Sequence, residues 1–194
     1  MKRLPELDDR PVVVAIAGPN GAGKTTFYGA HVAPAALRFV NADVLARDLD
    51  MDPYDAAKAA DKVRRALLKR GESFAFETVF SDPVGDKLAF LEECRMAGYA
   101  VVLCFIGLQG PEVCEERVAM RVSQGGHDVP SAKLKSRFPR TMENLRKAVR
   151  LLPVVYVFDN TDLGRPFHRA AVFRKGRLVE KAKDARPWVD RLAD

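Results

Sequence analysis

Five short apolar runs punctuate the chain, and the stretches between them carry apolar and charged residues at helical spacing. The runs lie near 11–17, 38–41, 73–77, 100–106 and 153–158, and their content of Val and Phe suits buried strands. Helical patterns occupy 24–31, 54–70, 83–97, 111–123 and 131–150, with strong helix formers throughout 55–68. Asp82-Pro83 reads as a cap with proline at the first helical position, Gly98 as that helix's stop, and Pro111 opens the next helix in the same manner. Apolar strands alternating with helices predict a parallel five-stranded sheet covered on both faces, a three-layer α/β fold. Beyond the fifth strand, Ala171 to Glu180 reads as a small C-terminal hairpin turning at Lys175-Gly176, an edge addition without chemistry. No repeat, low-complexity run or linker divides the 194 residues, so one domain over 1–194 is expected.

Composition narrows the class. Apolar residues make up 47% of the chain, enough for a proper core. The longest apolar run without a charge, Tyr99 to Leu108, is too short to cross a bilayer, and Met1 to Asp9 lack the apolar segment of a secretory signal. Cys94, Cys104 and Cys114 have no metal-ligand spacing and read as small buried residues in a reducing compartment, so a cytoplasmic protein is expected. The net charge of +6 suits a site for a polyanion or a mildly basic surface. Lys62, Arg64 and Arg65 sit among acidic and alanine neighbours on a helix and read as a solvated face.

The chemistry begins where the first strand ends. Gly18-Pro19-Asn20-Gly21-Ala22-Gly23-Lys24-Thr25-Thr26 matches G-x-x-x-x-G-K-[ST] at every fixed position, and it stands between a strand and a helix as that motif requires. Such a loop points backbone N–H groups at one place, which with the helix dipole makes a diphosphate cradle. ATP is the expected ligand, with Lys24 at the β- and γ-phosphates and the Thr25 hydroxyl on Mg²⁺. In a parallel sheet, ligands sit beyond the carboxyl ends of the strands. That rule selects Asn41-Ala42-Asp43, Glu77-Thr78, Gly107-Leu108-Gln109 and Asp159-Asn160-Thr161, with Asn160 on the ATP side.

The type of P-loop enzyme follows by elimination. Asp82-Pro83-Val84-Gly85 satisfies D-x-x-G, but the N-K-x-D of GTPases is missing, as are L-S-G-G-Q and an apolar run ending in Asp-Glu. A small-molecule kinase needs a base near the accepting hydroxyl and positive charge over the moving phosphoryl group. Asp43 is the leading base, although Asn41 or Asp43 could equally be a helix cap. Glu77, and Thr78 beside it, stand on the substrate side, Glu77 holding a substrate hydroxyl or a magnesium-bound water. Arg117 and Arg121, four apart on one helix face, precede Gly125-Gly126 and Pro130, and a later helix carries Arg137 and Arg140. Arginines flanking a flexible loop are what a closing lid requires, here about 121–140. Aromatic platforms for nucleic acid are not evident, since Trp188 lies near the C-terminus, away from the expected site, and the Phe residues fall in apolar runs. An end-phosphorylating kinase and a slow ATPase switch without an acceptor remain the alternatives.

Together the P-loop, Phe39-Val40-Asn41-Ala42-Asp43, Phe76-Glu77-Thr78 and Arg121-Val122-Ser123-Gln124-Gly125-Gly126-His127-Asp128-Val129-Pro130 resemble the zeta-toxin family of P-loop kinases, over about 11–160. The resemblance implies a nucleoside-monophosphate-kinase-like P-loop NTPase fold. It also implies ATP-dependent phosphorylation of a hydroxyl on a UDP-N-acetylamino sugar, with Mg²⁺ and an antitoxin protein that covers the nucleotide site. By similarity Asp43 is the base, Lys24 the P-loop lysine, Glu77 a substrate-side acid, and Arg117 or Arg121 the phosphate-stabilising arginine. Relative to that family's plasmid-borne toxins the lid is shorter and the C-terminal region around the sugar is reduced, which leaves the acceptor open.

Overall fold

Every residue of β1 (Val12–Ala17) is buried, which places this strand in the interior of a sheet with both faces covered. The computed structural model describes residues 4–126 and 128–193. In it β1 is the third strand of a seven-stranded sheet of order β2-β3-β1-β4-β5-β6-β7. The others are β2 (Arg38–Val40), β3 (Phe74–Thr78), β4 (Ala100–Gly107), β5 (Val154–Asp159), β6 (His168–Arg174) and β7 (Arg177–Lys181).

The first five strands pair in parallel, as their apolar composition predicts. The sheet is nevertheless mixed and larger than five. The C-terminal hairpin is no separate appendage, because β6 pairs antiparallel with β5 and β7 with β6. The reason is burial. All six residues of β5 are buried, so its second edge needs a ladder partner, and the buried run Ala170 to Phe173 of β6 supplies one.

Helices cover both faces. On one face α3 (Pro53–Lys69), α4 (Asp86–Met96), α6 (Ser131–Leu151) and α7 (Pro187–Asp190) enclose a core containing Phe74, Phe76, Phe90, Leu145 and Trp188. On the other, α1 (Lys24–Phe27) and α5 (Pro111–Ser123) pack over Ile16, Phe27, Cys104, Ile106 and Phe158. α2 (Ala42–Asp48) follows the edge strand β2.

Two boundaries differ from the sequence pattern. The first helix is α-helical only over Lys24–Phe27 and widens into a π turn over Tyr28–Val32. α4 begins at Asp86 rather than at Pro83, with left-handed Gly85 before it. The Asp82 carbonyl, which a helix starting at Pro83 would offer to the Asp86 N–H, accepts from Asn144 Nδ2 of α6 instead. The three cysteines are free and buried as expected, and burial pushes the Cys94 and Cys114 thiols up to about 12. No helix among the described residues is long and apolar enough to cross a membrane.

One close approach fixes the carboxyl end of β4. A Cβ on Gly107 would fall 2.3 Å from the Trp188 ring, which is 3% exposed. Gly107→Ala should destabilise the fold by about 1–3 kcal/mol, the usual cost of overpacking a filled core. Urea unfolding measures this, and an unchanged midpoint would show that the indole can move aside.

Candidate active site

The glycine loop after β1 is shaped by its neighbours. Gly18 adopts φ +147°, and a Cβ there would lie 2.1 Å from the Ile106 carbonyl oxygen of β4, so only glycine fits. The turn ends at Lys24, the first residue of α1, whose Nζ donates to the Pro19 carbonyl at 3.0 Å. Asn20 Oδ1 is buried and has no hydrogen-bond partner, a polar atom left open inside the loop.

Glu77, near the end of β3, joins three segments. Its Oε2 accepts from Thr25 Oγ1 at 2.7 Å and from Asn41 Nδ2 at 2.9 Å, while Oε1 stands 3.8 Å from Lys24 Nζ. Parallel pairing explains the convergence, since β3 lies between β1, which feeds the P-loop, and β2, which feeds Asn41. Burial pushes the Lys24 ammonium below its usual 10.5; the charges of Glu77 and then Asp43 oppose this, and that of Arg121 adds to it. Lys24 thus has both acids and one arginine within electrostatic reach.

The capping question is settled by geometry. Asn41 is the N-cap of α2, its Oδ1 accepting from the N–H groups of Asp43 at 2.8 Å and Val44 at 3.4 Å. The Asp43 carboxylate is therefore not spent on capping, and the residue is exposed in the first turn of α2. Thr78 is occupied differently, its Oγ1 accepting from the Phe80 N–H at 3.1 Å.

The two arginines of α5 diverge. Arg117 Nη2 donates to the carbonyls of Asn160 at 3.1 Å and Thr161 at 3.0 Å, which ties α5 to the loop after β5. Arg121, one turn on, is the one whose charge acts on Lys24. The glycine pair closes this helix in a Schellman arrangement, with Gly126 N–H donating to the Arg121 carbonyl and Gly125 N–H to that of Val122. His127 of the sequence motif lies outside the described residues. Arg140 donates to the Ser81 carbonyl at 3.1 Å.

Asn160 is buried and braces the P-loop. Its Nδ2 donates to the Ala22 carbonyl at 2.9 Å and its Oδ1 accepts from Phe167 N–H at 3.1 Å. Thr26 is exposed at the start of α1. Trp188 is not remote, in contrast to its place in the sequence. Its Nε1 donates to Asp159 Oδ2 at 2.8 Å, which makes it a buried support beneath the Asp159–Thr161 loop.

Sequence reasoning therefore missed three contributors: the second role of Asn41, the support by Trp188, and Phe167 leaning on Phe27 with ring centroids 5.4 Å apart. Trp188 and Phe167 have no periodic or motif signal, whereas Asn41 stands in the Asn41-Ala42-Asp43 motif, which marks its position but not its bond to Glu77.

Oxygen donors dominate the P-loop side, where the Thr25 hydroxyl meets the Glu77 carboxylate. That donor set suits Mg²⁺, which is typically held by one or two protein oxygens together with substrate phosphates. No cluster of three or more His, Cys, Asp or Glu able to hold a metal occurs among the described residues.

This is a P-loop NTPase fold of the kinase-like α/β class. Residues 13–143 match the profile of the AAA_33 family, described as an AAA domain, and the chain belongs to that family. No curated protein matches the chain significantly. Among solved structures, a chain of the AvrRxo1-ORF1:-ORF2 complex with ATP superposes with a TM-score of 0.71 at 17% identity, over 97% of this chain and 66% of that one. The present chain thus spans slightly under two thirds of that relative. A chain of the PezAT chromosomal toxin–antitoxin system of Streptococcus pneumoniae gives a TM-score of 0.61 at 15% identity, over 96% of this chain and 78% of that one. A candidate kinase from Chloroflexus aurantiacus gives 0.57 at 19%, over 81% and 92%.

The buried lysine makes stability depend on pH. Because the folded-state pKa of Lys24 lies below 10.5, the folded state binds fewer protons than the unfolded one between the two values. Without nucleotide, the parent should therefore gain stability relative to Lys24→Met as pH rises from neutral toward 10.5. Urea unfolding of both proteins across that range checks the sign. A constant difference would mean that the neighbouring acids fully offset the effect of burial on the ammonium.

Proposed function

We propose that this chain is a single-domain, Mg-ATP-dependent kinase that phosphorylates a hydroxyl of a small acceptor, a UDP-N-acetylamino sugar being the preferred class. The observation that carries the reading is the Glu77 carboxylate joining Lys24, Thr25 and Asn41, with the Asp43 acid released from capping and close enough to act on Lys24. A P-loop, an acid not spent on capping and an arginine within electrostatic reach of the lysine are the parts that phosphoryl transfer requires. The zeta-toxin-like motifs and the fold shared with the PezAT and ATP-bound AvrRxo1 chains support the finer assignment.

In this reading the backbone of Gly18 to Thr26 cradles the phosphates, and Lys24 leaves the Pro19 carbonyl to meet the β- and γ-phosphate oxygens. Thr25 and, through water, Glu77 would hold Mg²⁺, which when bound neutralises phosphate charge. Asp43 accepts the proton of the attacking hydroxyl as its oxygen bonds to the γ-phosphorus. The bond from that phosphorus to the bridging oxygen breaks, and ADP leaves with the electron pair. Arg121, on a lid of about 121–140, stabilises the charge spread over the transferring group, whereas Arg117 stays committed to the Asn160–Thr161 carbonyls. Asn160 holds the loop on the nucleotide side. PezAT being a toxin–antitoxin system, an antitoxin is the protein partner class that this reading favours.

The direct test is incubation with Mg-ATP and UDP-N-acetylglucosamine, with mass spectrometry for a product heavier by one phosphate. ADP formed without any phosphorylated acceptor, there or in a metabolite extract, would replace the kinase with an ATPase switch. Asp43→Asn should bind ATP as the parent does and melt at a similar temperature, while losing transfer by roughly 10²- to 10⁴-fold, the span of general-base catalysis. Parental activity in that variant removes the base assignment.

The arginines should separate as well. Arg121→Ala should lower kcat by at least about 10²-fold with little change in the KM for ATP, as expected when a group stabilises developing charge. Arg117→Ala should chiefly raise the KM for ATP by loosening the Asn160 loop. The reverse pattern in steady-state kinetics would exchange their roles.

A further inference from the structure

Between Glu77 and α4 the chain runs through Val79-Phe80-Ser81-Asp82, and four consecutive carbonyls there accept hydrogen bonds from side chains of one helix. Thr141 Oγ1 donates to Val79 at 3.0 Å, Asn144 Nδ2 to Phe80 at 3.0 Å and to Asp82 at 2.9 Å, and Arg140 Nε to Ser81 at 3.1 Å. Thr141 is 0% exposed and Asn144 5%, so these polar groups were removed from water to make the contacts. Buried polar side chains are kept only where they are hydrogen-bonded; here both reach about 60 residues back along the chain to one loop.

The loop they hold is not relaxed. Phe80 sits at φ +63° with its ring 1% exposed, a left-handed conformation that a bulky residue adopts only under constraint. Both carboxylate oxygens of Asp82 are buried and lack a hydrogen-bond partner. A segment carrying backbone strain and an unsatisfied carboxylate keeps its shape because its surroundings impose it. Strain maintained next to a substrate-side acid is a reason to look for function there.

Resting on the kinase reading above, we propose that Asn144, seconded by Thr141, is a positioning residue for acceptor binding. By clasping Val79–Asp82 from α6 it sets the place of the acceptor wall that continues from Glu77 and Thr78, and it leaves the P-loop alone. No side chain of this clasp touches the P-loop in the hydrogen bonds of the described residues. The acceptor half and the nucleotide half are therefore separable by mutation.

The test uses the full chain with Asn144→Leu, close in volume but without donors, and Thr141→Val, which keeps shape and removes one donor. Two readouts are taken. Amide hydrogen exchange should rise at least tenfold at residues 78–82 in Asn144→Leu, with the P-loop amides of 18–26 and the affinity for ATP within twofold of the parent. With UDP-N-acetylglucosamine as acceptor probe, its KM should rise at least tenfold while the KM for ATP stays within twofold. Thr141→Val should show the same pattern more weakly, and it carries the test if Asn144→Leu does not fold. Exchange unchanged at 78–82, or raised equally in the P-loop, overturns the proposal, as does an equal rise in both KM values. If the parent does not phosphorylate the probe, that result counts against the proposed acceptor, and the exchange pattern alone then decides for or against the clasp.

Discussion

A positive charge buried at the start of α1 organises this molecule. The Lys24 ammonium is taken out of water by the P-loop, and isolated burial of a charge is costly unless opposite charge and hydrogen bonds compensate. Compensation comes from the Pro19 carbonyl and from Glu77. Glu77 must then be fixed in turn, which Thr25 and Asn41 accomplish. The demand of one lysine thus propagates across β1, β3 and β2 and decides which face of each strand end looks into the site. The same compensation leaves room for a more negative guest, since triphosphate oxygens are better partners for an ammonium than a carbonyl is.

The two halves of the site are supported differently. On the nucleotide side, α5, the β5 loop and the P-loop are cross-linked by Arg117 and Asn160, with Trp188 packed beneath at Asp159. At the ends of β2 and β3, Asn41 and Asp43 follow a three-residue edge strand, and the neighbouring loop is bonded to α6.

Much of this was legible in the sequence. The five parallel strands announced themselves as apolar runs, and the P-loop as a motif in its required context. Sheet extension was harder to read, because whether a hairpin joins a sheet depends on an edge such as that of β5, far away in sequence. Asp82-Pro83 carries good helix-start chemistry, yet Asn144 takes the Asp82 carbonyl, and no local pattern encodes such a long-range effect. Sequence order also misled about Trp188, since closeness in space is set by how α7 folds back onto β4. The candidate acids, the lysine and the arginines could all be named from the chain. That Asn41 rather than Asp43 caps α2, and that Arg117 bonds the Asn160 and Thr161 carbonyls, depends on long-range placement that no local pattern encodes.

The antiparallel β6–β7 extension has a consequence for how the sheet meets other molecules. It shields the long apolar β5 and moves the open edge outward to β7, where Arg177 and Lys181 stand at the two ends of a short, exposed strand. The opposite edge is β2, which is only three residues long and begins with the exposed Arg38. Neither border offers a long flat apolar ladder, so both resist strand-to-strand recruitment by another copy of the chain.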